Sequence, residues 1–169
     1  EKHKPELPEH ERRRHILTHN LYGVDLDDQA VEVTRLNLTL RASLKREKLP
    51  MLHHIRCADS LRADWGDLFP DVTAAGGFDA VIGNPPYVRI QTLPTETINW
   101  ISANYESASA NYDLYVPFVE RGLKLLNPNG LVGFILPHKF FTARYGLNLR
   151  RLIGKGHHLR EIVHFGDQQ

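Results

Sequence analysis

Asn84-Pro85-Pro86-Tyr87 follows directly on the apolar run Phe78-Asp79-Ala80-Val81-Ile82-Gly83. These residue types, in this order, suit a pocket for a planar amine. The Asn84 side-chain carbonyl can accept one N–H of such an amine. Prolines lack their own N–H, so the backbone carbonyl of Pro85 is left to accept the other. Tyr87 offers a ring face for stacking. An exocyclic amine on adenine is a poor nucleophile because its lone pair is delocalised into the ring. Two acceptors aimed at its hydrogens favour the pyramidal form, so the chemistry suggested is attack by nitrogen on an electrophilic carbon. A bare Pro-Pro after a strand would only stop it and make a turn. Here the apolar run before it and the flanking Asn and Tyr supply what a pocket needs and a turn does not.

The elements that must position these residues alternate along the chain. Glu9 to Thr18 reads as a charged helix, and Leu21 to Asp25 as a short β-run ending in an acid. A second helix starts with Asp27 as N-cap, with Val33, Leu36, Leu40 and Leu44 as one apolar stripe, and Lys45 to Pro50 as its stop. His54 to Cys57 is a short strand leading into Asp59, and the stretch from Asp64 to Gly77 is a surface connection before the buried-type strand Phe78–Ile82. A helix near Glu96–Ala103 is followed by a polar Ser/Ala/Asn loop, read as the mobile piece of the chain. Asp113–Leu126 is a helix, Asn127-Pro128-Asn129-Gly130 a turn, Leu131–Leu136 a buried strand, Lys139–Leu152 helical, and Glu161–Phe165 a last strand. Such alternation argues for an α/β fold with a mostly parallel sheet. In such a sheet functional groups gather at the carboxyl ends of strands, which here end in Asp25, Asp59 and Asn84.

Bulk properties narrow the class. At 169 residues the length favours one domain, and 41% hydrophobic with 24% charged residues is the balance of a globular chain. A formal charge of +1 announces no polycation, and the clusters at Arg12-Arg13-Arg14, at Lys45-Arg46 with Lys48, and from Arg150 to Lys155 read as solvated faces. Cys57 is the only cysteine, which excludes an internal disulfide or a multi-cysteine zinc site, and it reads as a buried strand residue. The histidines read as surface residues, so no metal is expected. There is no apolar stretch of membrane-spanning length and no signal-peptide pattern, so a cytoplasmic setting is expected.

Taken together, Tyr22 to Asp27, Cys57 to Leu61, Phe78 to Arg89, Asp113 to Val116 and Gly130 to Phe141 make the chain resemble the S-adenosylmethionine-dependent DNA N6-adenine methyltransferases of bacterial restriction–modification systems, in particular the methylase part of combined restriction–modification enzymes. Asn-Pro-Pro-Tyr with its following Val88-Arg89 is the specific part of the match. The resemblance implies a Rossmann-like class I methyltransferase fold using S-adenosyl-L-methionine. By the same likeness Asp25 binds the cofactor's ribose hydroxyls, Leu26 packs on its adenine, and Asp59 with neighbouring Ser60 receives the adenine amino group. Asn84, Pro85, Pro86 and Tyr87 form the catalytic loop. Tyr87 and Phe140, whose neighbour Phe141 is the alternative, steady an adenine flipped out of double-stranded DNA, and Asp113 and Tyr115 line the site. The methyl passes directly to N6, so Cys57 is not read as a nucleophile.

The family's glycine-rich cofactor loop is not found before Leu21, and Gly154-Lys155-Gly156 lies too far downstream to replace it. The expectation is therefore a partial catalytic domain over residues 1–169, lacking the first central strand and a recognition domain. That strand would lie between the strands ending in Asp25 and Asn84, and without it the chain should be poorly soluble and bind cofactor weakly or not at all. Two other functions fit the same loop. A protein-glutamine or RNA guanine-N2 methyltransferase presents a comparable planar nitrogen, and a noncatalytic DNA-binding module could keep the loop without the reaction. The connection from Gln91 to Asn111 and the Lys139-Phe140-Phe141 stretch favour the DNA enzyme.

Overall fold

A computed structural model describes residues 8–42 and 50–166, which gather into two compact units dividing between Phe69 and Pro70. The expected helix stop at Lys45–Pro50, the basic residues Lys45, Arg46 and Lys48, and Leu44 fall wholly or largely outside the described residues.

The first unit runs α1 (Glu9–His19), β1 (Gly23–Asp25), α2 (Asp28–Ala42), β2 (Ile55–Cys57) and α3 (Trp65–Leu68). The amides of Gln29 and Ala30 donate to the Asp27 carboxylate, so the N-cap is the one expected. β1 and β2 pair in parallel, Gly23 beside Ile55 and Asp25 beside Cys57. The core is Val31, Leu52 and Ile55 with Leu17 and Leu38 packed on it, and Arg35 ties α2 to β2 by donating from Nε to the Ile55 carbonyl at 3.0 Å. The stripe of Val33, Leu36 and Leu40 is thus on the wrong side: all three are exposed, because β2 packs on the face carrying Val31, Arg35 and Leu38. Cys57 is also exposed rather than buried: it shares the face of Ile55 but closes β2, beyond the Val31–Leu52–Ile55 cluster.

The second unit runs α4 (Pro70–Ala74), β3 (Phe78–Gly83), α5 (Thr95–Asn104), α6 (Tyr115–Lys124), β4 (Leu126–Phe134) and α7 (Leu147–Lys155), with short 3-10 turns at Ile90–Thr92, His138–Phe141 and Arg144–Gly146. Gly77, at φ +119°, starts β3 where a Cβ would sit 2.8 Å from the Leu125 carbonyl oxygen, so the chain can enter the strand tightly there. β3 pairs in parallel with β4, Ala80 beside Leu131 and Gly83 beside Phe134. The Asn-Pro-Asn-Gly turn is not ahead of β4 but inside it, as the register shift between Phe78 and Ala80, closed by the Asn129 amide donating to the Asn127 side chain. The buried-type run of β3 is also more open than read, with Ile82 83% exposed, because among the described residues this strand has a single pairing partner. Glu161–Phe165 forms no strand and is exposed, and among the described residues no strand pairs with it.

The largest departure concerns the polar loop after α5. It is anchored: Tyr105, Ser107 and Tyr112 are buried, together with Ile101 of α5. The cause is Glu120 in α6, 0% exposed, whose carboxylate accepts from the Ser107 amide at 2.8 Å, the Glu106 amide at 3.3 Å and Lys124 Nζ at 2.5 Å. Burial pushes this carboxyl up, but the bonds from Lys124 and Ser107 outweigh it and hold the group below its ordinary 4.5.

Glu120→Ala leaves two amides and an ammonium without their acceptor, and should lower stability by about 2–4 kcal/mol in urea melts near neutral pH. Equal melts would refute the anchor. A carboxyl depressed by folding stabilises above its unfolded value, and that contribution is lost as pH falls through the folded value. Glu120→Gln should therefore lie closest to the parent at acid pH, with the gap opening as pH rises through the depressed folded value and reaching its full size above the ordinary 4.5.

Candidate active site

In the first unit, Asp25 and Asp59 stand at the same end of the parallel pair, one closing β1 and the other two residues beyond β2. The Asp25 Oδ1 accepts the Asp27 amide at 2.9 Å, a local turn that aims the exposed carboxylate and leaves its second oxygen for an incoming hydroxyl. Leu26 beside it is 74% exposed, an apolar side chain held in solvent where an aromatic ring can cover it. Asp59 is more engaged: Oδ1 accepts the amides of Leu61 at 2.9 Å and Arg62 at 3.3 Å, and Oδ2 lies 3.7 Å from Arg62 Nε. Ser60 contributes its carbonyl to the Trp65 indole N–H at 3.0 Å. Two carboxylate acceptors and an exposed apolar side chain thus gather at one end of the strand pair, able to accept from hydroxyl or amine donors and to cover a ring face.

In the second unit, β3 delivers Asn84 at its carboxyl end. Pro85 is buried, whereas Asn84, Pro86 and Tyr87 are exposed. The Tyr87 hydroxyl lies 2.7 Å from Asn84 Oδ1 and 3.0 Å from the Ile135 carbonyl, so its single proton is shared between two acceptors. Beyond Tyr87 the chain is laced antiparallel to the start of α6. The Ile90 amide donates to the Tyr112 carbonyl at 3.1 Å and the Leu114 amide to the Val88 carbonyl at 2.7 Å, so the backbones of Arg89 and Asp113 stand opposite each other as an isolated antiparallel pair. Asp113 thus precedes α6 instead of starting it.

Tyr115, the first residue of α6, is fully buried, and its ring stands edge-on to two others: Tyr87 at 6.2 Å and 89°, and Phe140 at 6.1 Å and 63°. Phe140 is 6% exposed, whereas Phe141, tilted against it at 4.4 Å, is 39% exposed and carries the open ring face. Burial pushes the Tyr115 phenol well above its ordinary value, so it stays a hydroxyl at physiological pH. Sequence reasoning missed the residues that hold this wall: Glu120, Tyr145 and Arg150. A glutamate in the middle of an apolar helix face, between Val116, Val119 and Leu123, was a readable signal for the first. Nothing in the spacing marked the other two. Among the described residues no group of three or more metal-ligating side chains occurs, and no helix is long and apolar enough to cross a membrane.

Comparison with known proteins meets this geometry over nearly the whole chain. The model of the Eco57I restriction-modification methylase family matches residues 19–169. The chain is 36% identical over 158 residues to the Type II methyltransferase M.PaeR7I of Pseudomonas aeruginosa, covering 86% of this chain and 27% of that protein. It is 29% identical over 181 residues to the Type II restriction enzyme and methyltransferase RM.Eco57I of Escherichia coli, covering 94% of this chain and 18% of that protein. A shorter match, 41% over 93 residues, relates 55% of the chain to 17% of the Type II methyltransferase M.BstVI of Geobacillus stearothermophilus. The chain therefore spans about a quarter or less of the curated relatives it matches. Since the family match takes in both strand-end acids, the Asn-Pro-Pro-Tyr loop and the aromatic wall behind it, this chain belongs to the Eco57I restriction-modification methylase family.

Proposed function

We propose that this chain is part of a site-specific DNA adenine-N6 methyltransferase of a restriction–modification system, acting on double-stranded DNA with S-adenosyl-L-methionine. The observation that carries the reading is the end of β3, where the Asn84 amide carbonyl is presented beside the half-exposed ring of Tyr87. The relatives' printed activities, methyltransferase in each case and restriction as well in RM.Eco57I, support the class.

In this reading Asp25 accepts the ribose hydroxyls of the cofactor, Leu26 covers its adenine, and Asp59 with Ser60 borders the amino group. The cofactor supplies an electrophilic sulfonium methyl. Asn84 Oδ1 and the Pro85 carbonyl take the two hydrogens of the target amine, drawing its lone pair out of conjugation and toward that carbon. Pro86 fixes the loop's backbone dihedral. Tyr87 stacks on the extruded base, and the Phe140–Phe141 pair closes the opposite side, with Phe141 the accessible ring and Phe140 its support. As the nitrogen–carbon bond formed, the carbon–sulfur bond would break with its electron pair leaving on the neutral thioether, and the amine, made more acidic, would lose its proton to solvent without a dedicated base.

The fold reading goes with this. The parallel pairing of β1 with β2 and of β3 with β4 supports a Rossmann-like class I fold.

The test is transfer of labelled methyl from S-adenosyl-L-methionine to unmethylated duplex DNA by the full-length protein. Label should appear in N6-methyladenine and fall by roughly a hundredfold or more in Asn84→Ala, which removes an acceptor used only as the amine reacts. Label in a protein amide or an RNA amine instead would overturn the DNA reading. Tyr87→Ala should lose roughly 1–3 kcal/mol in kcat/KM with the stacking surface, whereas Tyr87→Phe, which keeps the ring, should lose far less. Equal losses in the two variants would argue against stacking.

A further inference from the structure

The Phe140–Phe141 segment is held from behind by groups outside the Asn-Pro-Pro-Tyr loop. The hydroxyls of Tyr115 and Tyr145 lie 2.9 Å apart, and the Tyr145 hydroxyl lies 3.5 Å from Asp113 Oδ2, at the long limit of a hydrogen bond. A carboxylate can only accept, so the Tyr145 proton points to Asp113. The Tyr115 proton then points to the Tyr145 oxygen, and the Tyr115 oxygen is left to accept from the backbone N–H of Phe140. The order is fixed: amide of Phe140, hydroxyl of Tyr115, hydroxyl of Tyr145, carboxylate of Asp113. On its other side, the Phe140 carbonyl accepts from Arg150 Nη1 at 2.5 Å, and the same nitrogen reaches the Ala143 carbonyl at 2.9 Å. Gly146 makes room for this: a Cβ there would fall 2.1 Å from the Phe140 oxygen.

We propose that Tyr145 is a positioning residue for the target base, whose hydroxyl completes a chain from Asp113 through Tyr115 that fixes the backbone of Phe140 and so the gap between Tyr87 and the Phe140–Phe141 pair. The inference rests on the base-binding reading above. Tyr145 reaches neither base nor cofactor in this role. It acts through Tyr115, the buried ring that touches both Tyr87 and Phe140. The chain runs one way because it ends on an anion, and each bond polarises the next.

Tyr145 is only half-buried, so Tyr145→Phe removes one oxygen and should leave the fold intact. Two readouts in the full-length protein separate positioning from support. The first is amide hydrogen exchange of the peptide containing Phe140 without DNA, which should quicken about tenfold in Tyr145→Phe while the thermal melt moves little, since the two bonds lost are at a half-buried hydroxyl and the one to Asp113 is long. The second is steady-state methyl transfer, in which kcat on duplex DNA should fall about fivefold to tenfold with KM for S-adenosyl-L-methionine unchanged. Tyr115→Phe, which breaks the same chain, should add little on top of Tyr145→Phe. Unchanged exchange at Phe140 in Tyr145→Phe overturns the proposal whatever the activity. Quickened exchange with unchanged kcat overturns it as well, leaving a structural bond alone. If the parent protein labels no DNA adenine, the base-binding reading fails and this proposal fails with it, whereas a labelled parent beside an unaffected variant sinks the proposal alone.

Discussion

The arrangement of the second unit depends on satisfying one buried anion. Glu120 has no access to water, so its charge is tolerable only if every lone pair finds a donor. The donors it finds are Lys124 on its own helix and two amides of the loop after α5. Once Glu106 and Ser107 are pinned there, Tyr105 and Tyr112 go under the surface, and the Tyr112 carbonyl is set to receive the Ile90 amide. That bond and the one from Leu114 to Val88 place the stretch that leaves Tyr87. A polar loop and an aromatic site wall are thus coupled through a carboxylate that touches neither Asn84 nor Tyr87.

Local chemistry was legible in the residues, and tertiary choice was not. The Asp27 cap, the helices α1 and α5, and the strand feeding Asn84 follow from short-range rules that hold before any packing is known. The stripe on α2 misled because two apolar faces compete on that helix, and the one that packs is decided by β2 and by Arg35 reaching the Ile55 carbonyl. Glu161–Phe165 misled for a similar reason: β-propensity is realised only where another strand offers its edge. The loop from Tyr105 to Tyr112 looked mobile by composition, yet its order comes from a residue more than ten positions away.

The candidate site divides in the same way. Asn84, Tyr87, Asp25 and Asp59 stand at strand ends, where a pattern of strand followed by a polar residue leads the eye. The supports behind them, Tyr115 with Tyr145 and Arg150 with Gly146, are spread over α6, a 3-10 turn and α7, and only folding brings them together. Of the two aromatics after β4, sequence offered no ground for choice, whereas burial makes Phe140 the anchor and Phe141 the open face.

The Tyr87 hydroxyl already occupies Asn84 Oδ1. One of that oxygen's two lone pairs is therefore engaged from within the protein, and the same phenol lies 3.0 Å from the Ile135 carbonyl, to which its proton can turn when another donor arrives. A base edge bearing an amine replaces the evicted proton with its own, so the exchange is close to even. An edge bearing a carbonyl, as in thymine or uracil, brings lone pair against lone pair and loses the bond outright. The phenol is thus a resident stand-in for an N–H or O–H donor, and it marks Asn84 Oδ1 as an oxygen whose partners are donors.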